Sequence, residues 1–253
     1  MTTDQIINIA GQTATWLTLV LVFFTLREMN TQRRHSYKPE LLPLQDPLLV
    51  FWKTTANSPF PSHWSSAPQT LAQVKSQAVS HPAVRVVNLG VGAASAVTAT
   101  WQLQIDKLLG EIKDYCDTHS IPVFVDVNQR GWLNIQAPGG TGSSTNNDLV
   151  HDHDYLLPAP TSPDGWALPF PFALRHLTSL LIYLFASAAD PNQVPESFIG
   201  APPFTLNLSY RDLGGKIYTK TFSGKLRVYM ISGSVTDEGS EAFAGHWEWT
   251  EVG

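Results

Sequence analysis

Val84-Arg-Val-Val-Asn-Leu-Gly-Val-Gly-Ala-Ala-Ser-Ala-Val-Thr-Ala-Thr-Trp-Gln-Leu-Gln-Ile105 is the stretch that decides the fold class. Val84–Leu89 reads as a strand, and Gly90-Val-Gly92 reads as a turn. From Val97 the pattern alternates without a break. Val97, Ala99, Trp101, Leu103 and Ile105 are apolar, with Thr98, Thr100, Gln102 and Gln104 between them. Period two with β-branched residues predicts a half-buried strand with Trp101 on the inward face.

The pattern then changes period. Ile105, Leu108, Leu109, Ile112, Tyr115 and Cys116 fall at helical spacing, so 106–119 is expected to be an amphipathic helix with Cys116 on its apolar side. Ile121–Val127 returns to strand. Gln136–Leu149 is Gly-, Ser- and Asn-rich and reads as a flexible loop. Asp152–Leu157 reads as a strand ending at Pro158. Further on, Phe204, Leu206, Leu208 and Tyr210 alternate with Thr205, Asn207, Ser209 and Arg211. Asp212-Leu-Gly-Gly215 is a turn with two residues free to take positive φ. Lys216–Phe222 is the expected hairpin partner, Lys225–Ile231 a third strand, and Trp247 and Trp249 share a face of a short final strand. Short strands between turn signals predict a mainly β, α+β chain: an antiparallel sandwich with one or two packed helices.

Upstream, prolines 43, 47, 59, 61, 68 and 82 interrupt residues 40–82. Leu48–Trp52 is the expected first strand, and Leu71–Val79 a short helix or strand. Phe172–Ala188 is apolar with little charge. Its uninterrupted part, Leu177–Ala189, is thirteen residues long. That length predicts a buried or surface-packed helix rather than a second membrane span.

The N-terminus has another character. Ile6–Leu26 is uncharged and, as a helix, about 31 Å long, close to the ~30 Å hydrocarbon core of a bilayer. Met1-Thr-Thr-Asp4 lacks the basic start of a signal peptide, and Phe-Phe-Thr-Leu-Arg lacks its cleavage site. An uncleaved, single-pass anchor is the expectation. Arg27, Arg33, Arg34 and Lys38 follow it, so the rest of the chain is expected in the cytoplasm, on the inner (plasma) membrane. Ala10, Ala14 and Thr18 repeat at four-residue spacing, with Gly11 and Thr15 beside them. Small residues allow close approach of a second membrane helix, and Asn8 and Gln12 can hydrogen-bond across it. The alternative is a plain tether with its polar end in the headgroups.

The totals set bounds. The chain has 253 residues, 15% charged, with a net charge of −5. No basic block lies outside the juxtamembrane segment, which argues against a nucleic-acid partner. One cysteine excludes an internal disulfide framework. Eighteen prolines and seventeen glycines suit short strands and turns.

No cofactor is nominated. Gly90-x-Gly92-x-x-Ser95 has part of a dinucleotide fingerprint, with Glu111 downstream. That mechanism needs a helix N-terminus at the turn, whereas the alternation predicts a strand. His151-Asp-His-Asp154 has metal-ligand residue types. On a strand His151 and His153 share a face and the aspartates take the other, so two imidazoles converge without a third ligand. Gly139–Ser144 lacks the Lys and flanks of a phosphate loop. No Gly-x-Ser-x-Gly nominates a serine nucleophile. Cys116 reads as a structural thiol.

Two segments carry a resemblance. Asn88-Leu-Gly-Val-Gly-Ala-Ala94 is similar to the N-x-G-x-G-x-A turn of many small bacterial membrane-anchored proteins of unassigned role. Leu208–Tyr218 resembles their Y-x-D-x-x-G-x-x-Y hairpin, here Tyr210, Asp212, Gly215 and Tyr218. The order of span, basic helix and Tyr37-x-Pro39 exit is similar too. The resemblance implies a membrane-tethered, immunoglobulin-like β-sandwich and carries over no catalytic residue. The expected organisation is an anchor and basic helix, 1–38, and a soluble domain, 39–253. The expected function is non-enzymatic protein binding, through a partner or a homo-oligomer at the anchor. The alternative is a membrane-bound hydrolase or metal-dependent enzyme using the His151/His153 region.

Overall fold

The computed structural model describes residues 3–52, 63–65, 82–129, 132–137, 140–144, 149–186, 188, 204–231 and 241–252; within these, the side chains of 3–11 and 33–36 are among those left undescribed. Helix α1 (Thr3–Ser36) leads through Tyr37–Glu40 into β1 (Leu41–Pro43), β2 (Pro47–Trp52) and the short β3 (His63–Ser65). Then come β4 (Ala83–Asn88), β5 (Ala94–Leu103), α2 (Ile105–His119), β6 (Phe124–Val127), β7 (Leu133–Ala137) and β8 (Gly140–Ser144). The rest is β9 (Val150–Leu156), β10 (Trp166–Pro169), α3 (Phe172–Ala186), β11 (Phe204–Arg211), β12 (Ile217–Ile231) and β13 (Glu241–Val252).

The fold is α+β with antiparallel strands. A curled sheet of seven strands runs β3-β2-β13-β12-β11-β5-β9, with the three-residue β3 at its edge. A second sheet, β1-β4-β10, and a third, β6-β7-β8, have three strands each. The first two share a core. Leu41, Val84, Val86 and Leu168 of the small sheet belong to one cluster with Leu48, Val97, Trp101, Leu206 and Trp247 of the large one. Trp101 is buried among Phe170, Phe204 and Trp249 at 5.7–6.3 Å between ring centres. The alternation from Val97 and from Phe204 therefore sets one wall of this core, as expected.

A second core joins Leu108, Ile112 and Cys116 of α2 to Leu133 and Ile135 of β7. Helix α3 belongs to both cores. Leu174 and Ile182 reach the first, and Leu177, Leu180, Leu181 and Leu184 the second. It is apolar on nearly every side because protein covers nearly every side. Two of its polar groups are paired: the Thr178 hydroxyl donates to the Leu174 carbonyl at 2.8 Å, and Ser179 Oγ accepts from Trp64 Nε1 at 3.1 Å.

Four expectations need correction. Leu48–Trp52 lies in a strand, but β1 precedes it. The segment from Gln136 is not simply a loop, because Gly140–Ser144 pairs antiparallel with β7 from Ala137↔Gly140 to Leu133↔Ser144. Backbone ladder bonds need no side chain, so glycine-rich composition does not forbid them. The expected second and third C-terminal strands are one, β12, running through Gly224. That glycine faces Phe204, and an added Cβ would fall against the Phe204 ring. It provides room for an aromatic ring rather than a break in the strand. The final strand is twelve residues long rather than short. The expected element at Leu71–Val79 lies outside the described residues.

The N-terminal helix is present and extends past Arg27, Arg33 and Arg34 to Ser36, leaving Lys38 outside it. Among the described residues, no helix is long and apolar enough to cross a membrane. Because side chains 3–11 are outside the description, Ile6–Leu26 is covered only from Gln12 onward.

Candidate functional site

The three segments singled out in the sequence meet at the exit of α1. Gly90-Val-Gly92 turns between β4 and β5, and a strand, not a helix, follows it. The geometry that a pyrophosphate site would need is therefore missing at this turn. Instead the glycines allow contact with the exit segment. An added Cβ on Gly90 would collide with the Lys38 carbonyl, and one on Gly92 with the Tyr37 carbonyl.

Asn88 fixes this arrangement. It is buried, and all four of its side-chain hydrogen-bonding positions are used. Oδ1 accepts from the backbone N–H groups of Glu40 and Gly90, each at 3.0 Å. Nδ2 donates to the carbonyls of Gly92 at 2.7 Å and Leu156 at 3.2 Å. The Leu89 N–H also donates to the Glu40 carbonyl at 2.8 Å.

The hairpin β11–β12 reaches the same place. The register Arg211↔Ser95 puts its turn at the end of the sheet where β5 starts. Asp212 closes the turn, accepting from Lys216 N–H at 2.9 Å and the Tyr218 hydroxyl at 3.1 Å, while Gly215 takes φ +80°. Tyr218 stacks on Tyr210 at 5.6 Å, and the ammonium groups of Lys38 and Lys216 lie 5.4 and 5.2 Å from its ring centre. The Tyr210 hydroxyl is buried against the backbone of Leu41 without good hydrogen-bond geometry, and burial raises its pKa.

Lys220 completes the collar. Its ammonium donates to Glu251 at 3.1 Å and Glu40 at 3.3 Å, and its side chain is 12% exposed. Burial lowers its pKa, but the hydrogen bonds to the two glutamates outweigh this and the net shift is upward. Glu40, Lys220 and Glu251 escaped sequence reasoning because they lie far apart in sequence, in the exit segment, β12 and β13. Asn88 and Tyr218 were visible only as members of turn motifs.

The residues assigned to the anchor are placed as follows. Every residue from Gln12 to Gln32 is exposed, Gln12, Ala14, Thr18 and Arg27 among them. The Thr18 hydroxyl donates to the Ala14 carbonyl at 2.8 Å, within its own helix. The side chains of Asn8, Ala10, Arg33 and Arg34 lie outside the described residues. Lys38 stands apart from the helix, in the collar.

His151 and His153 lie on one face of the edge strand β9, half-buried, with Asp152 and Asp154 exposed on the other. His153 stacks on Trp166 at 5.0 Å and 10°. Asp152 accepts from the Thr98 hydroxyl at 2.8 Å, and His151 Nε2 is buried with no hydrogen-bond partner. Among the described residues there is no group of three or more His, Cys, Asp or Glu able to hold a metal. Burial, with a smaller contribution from Asp117, pushes the Cys116 thiol up to about 11. Such a thiol is protonated at neutral pH and a poor nucleophile.

The collar joins elements by hydrogen bonds, ion pairs and ring contacts. It holds one stretch of chain against another. Comparison with family models, curated proteins and solved structures finds no match for the chain.

Proposed function

We propose that this chain is a membrane-tethered, non-enzymatic binding protein. In this reading α1 crosses the plasma membrane once and the β-domain works in the cytoplasm. The observation that carries it is the exposure of α1. Leu19, Val20, Leu21, Val22, Phe23 and Phe24 are exposed in succession, with Trp16 70% and Phe23 62% exposed. At 100° per residue these side chains point in every direction around the helix. An amphipathic docking helix has one apolar face, whereas apolarity all round calls for cover all round. Leaving these side chains in water costs on the order of 10 kcal/mol.

The basic residues Arg27, Arg33, Arg34 and Lys38 after the span favour a cytoplasmic domain. Ala10, Ala14 and Thr18, with Asn8 and Gln12, favour association with a second membrane helix, from a partner or another copy. On the domain, Leu89, Val91 and Leu213 stand on turn tips around the collar and are 57, 66 and 71% exposed, an apolar surface open to a protein partner. The immunoglobulin-like comparison is supported to the extent that two antiparallel sheets face each other across one core. The hydrolase or metal-enzyme reading has less support. Its imidazoles are only two, and one of them is engaged with Trp166.

Paired reporter fusions at Gly253 test the orientation. Green fluorescent protein fused there should fluoresce, and alkaline phosphatase fused there should be inactive. The reverse result overturns the cytoplasmic reading. Ala14→Leu should weaken cross-linking through α1 while leaving membrane insertion intact. An unassociated wild-type helix would leave α1 as a tether alone.

A further inference from the structure

We propose that the exit collar is a rigid coupling, so that turning or tilting of α1 in the membrane reorients the β-domain as one body. The inference rests on the anchor reading for its membrane setting, but the joint itself is argued from contacts.

Only Tyr37, Lys38, Pro39 and Glu40 separate the end of α1 from the first strand. Each of the four is held. The Tyr37 and Lys38 carbonyls sit against the backbones of Gly92 and Gly90. Lys38 covers the ring of Tyr218, and Pro39 is buried. Glu40 is bound three ways: its N–H to Asn88 Oδ1, its carbonyl to the Leu89 N–H, and its carboxylate to Lys220. A flexible linker is the opposite in composition and in contacts, being Gly- or Ser-rich with a solvated backbone. Here the glycines lie in the opposing turn, where they admit the exit segment closely, and a proline fixes φ within the segment itself.

The helix adds a rigid stalk. Arg27–Ser36 continues α1 for ten residues beyond Leu26, about 15 Å at the helical rise. A rotation of the membrane segment would reach the collar through continuous helix and pass to the sheet through Asn88. The position of the turn tips Leu89, Val91 and Leu213 would then depend on the rotational setting of α1. Helix association in the membrane would thereby set how the domain faces its partner.

The test uses the full chain, with Cys116→Ser to remove the native thiol, in nanodiscs of phosphatidylcholine and phosphatidylglycerol and separately in detergent. Spin labels on Gln32→Cys in α1 and Lys107→Cys in α2 report the distance between helix and domain. A single narrow distribution is expected in both media. It should broaden when Gly-Ser-Gly-Ser is inserted between Ser36 and Tyr37, and also in Asn88→Ala, under conditions where the domain's tryptophan emission remains native. A wild-type distribution as broad as that of the insertion variant would overturn the coupling. The outcome is separable from the anchor reading, because a chain that fails to enter nanodiscs contradicts the anchor while the detergent measurement still judges the joint.

Discussion

The Asn88 side-chain oxygen accepts a hydrogen bond from the Glu40 N–H across forty-eight residues of sequence. This contact binds the end of the N-terminal helix to the interior of the domain. The same side chain closes the β4–β5 turn on Gly92 and reaches Leu156 at the end of β9. Asn88→Ala would leave two N–H groups and two carbonyls without these partners. Net hydrogen bonds are worth about 1 kcal/mol each, and unpaired buried groups cost about 1–3. Chemical denaturation of the full chain in detergent should show a loss of at least ~3 kcal/mol. Asn88→Asp should not rescue it, since a carboxylate has no proton for the Gly92 and Leu156 carbonyls. Unchanged stability in Asn88→Ala would contradict the clamp.

Two glycines make opposite predictions for one substitution. Gly92→Ala drives a methyl into the Tyr37 carbonyl, and the atoms it meets are backbone, so relief requires the exit to shift. Gly110 lies inside α2 with open space around its Cβ position. Gly110→Ala should stabilise by about 0.5–1 kcal/mol, the usual helix preference for alanine. Thermal melts of the two variants should move in opposite directions from wild type. A Gly92→Ala variant as stable as wild type or more so would show that the close approach at Gly92 is wrong.

His176 gives a pH dependence. Burial, reinforced by the charge of Arg175, lowers its pKa from 6.5 to about 4, and its Nδ1 is buried with no hydrogen-bond partner. The folded state therefore holds the neutral ring. Above pH 6.5 both states are neutral and the residue adds no pH slope. As pH falls from 6.5 towards 4 the unfolded state binds a proton that the folded state resists, so stability declines. At 1.36 kcal/mol per unit the full loss is at most roughly 3 kcal/mol. His176→Gln should remove that slope between pH 6.5 and 4. An identical slope in the variant would assign the decline to other groups.

The legible parts of this fold are those written in local periodicity. Trp101 and Leu206 sit on faces that alternation alone defines, and α2 shows its buried stripe at Leu108, Ile112 and Cys116. The apolar run of α3 is ambiguous because a helix buried between two cores and a helix buried in lipid have the same pattern. Length separated them. Gly140–Ser144 and Gly224 misled because glycine is read as an interruption, whereas one is paired through its backbone and the other makes room for Phe204. The collar was legible only in pieces. Asn88 and Tyr218 mark turns in sequence, but no local signal says that both turns receive the end of α1. Register along β5 and β11 brings them together, and register is a property of the whole sheet.

Tethering of the domain requires α1 to be held in a bilayer. Membranes from cells expressing the full chain, washed with alkaline carbonate and floated through a density gradient, test this directly. The chain should float with the lipid after the wash, and a chain lacking residues 1–36 should not. Release of the full chain into the wash, or its sedimentation away from the lipid, would contradict the anchor.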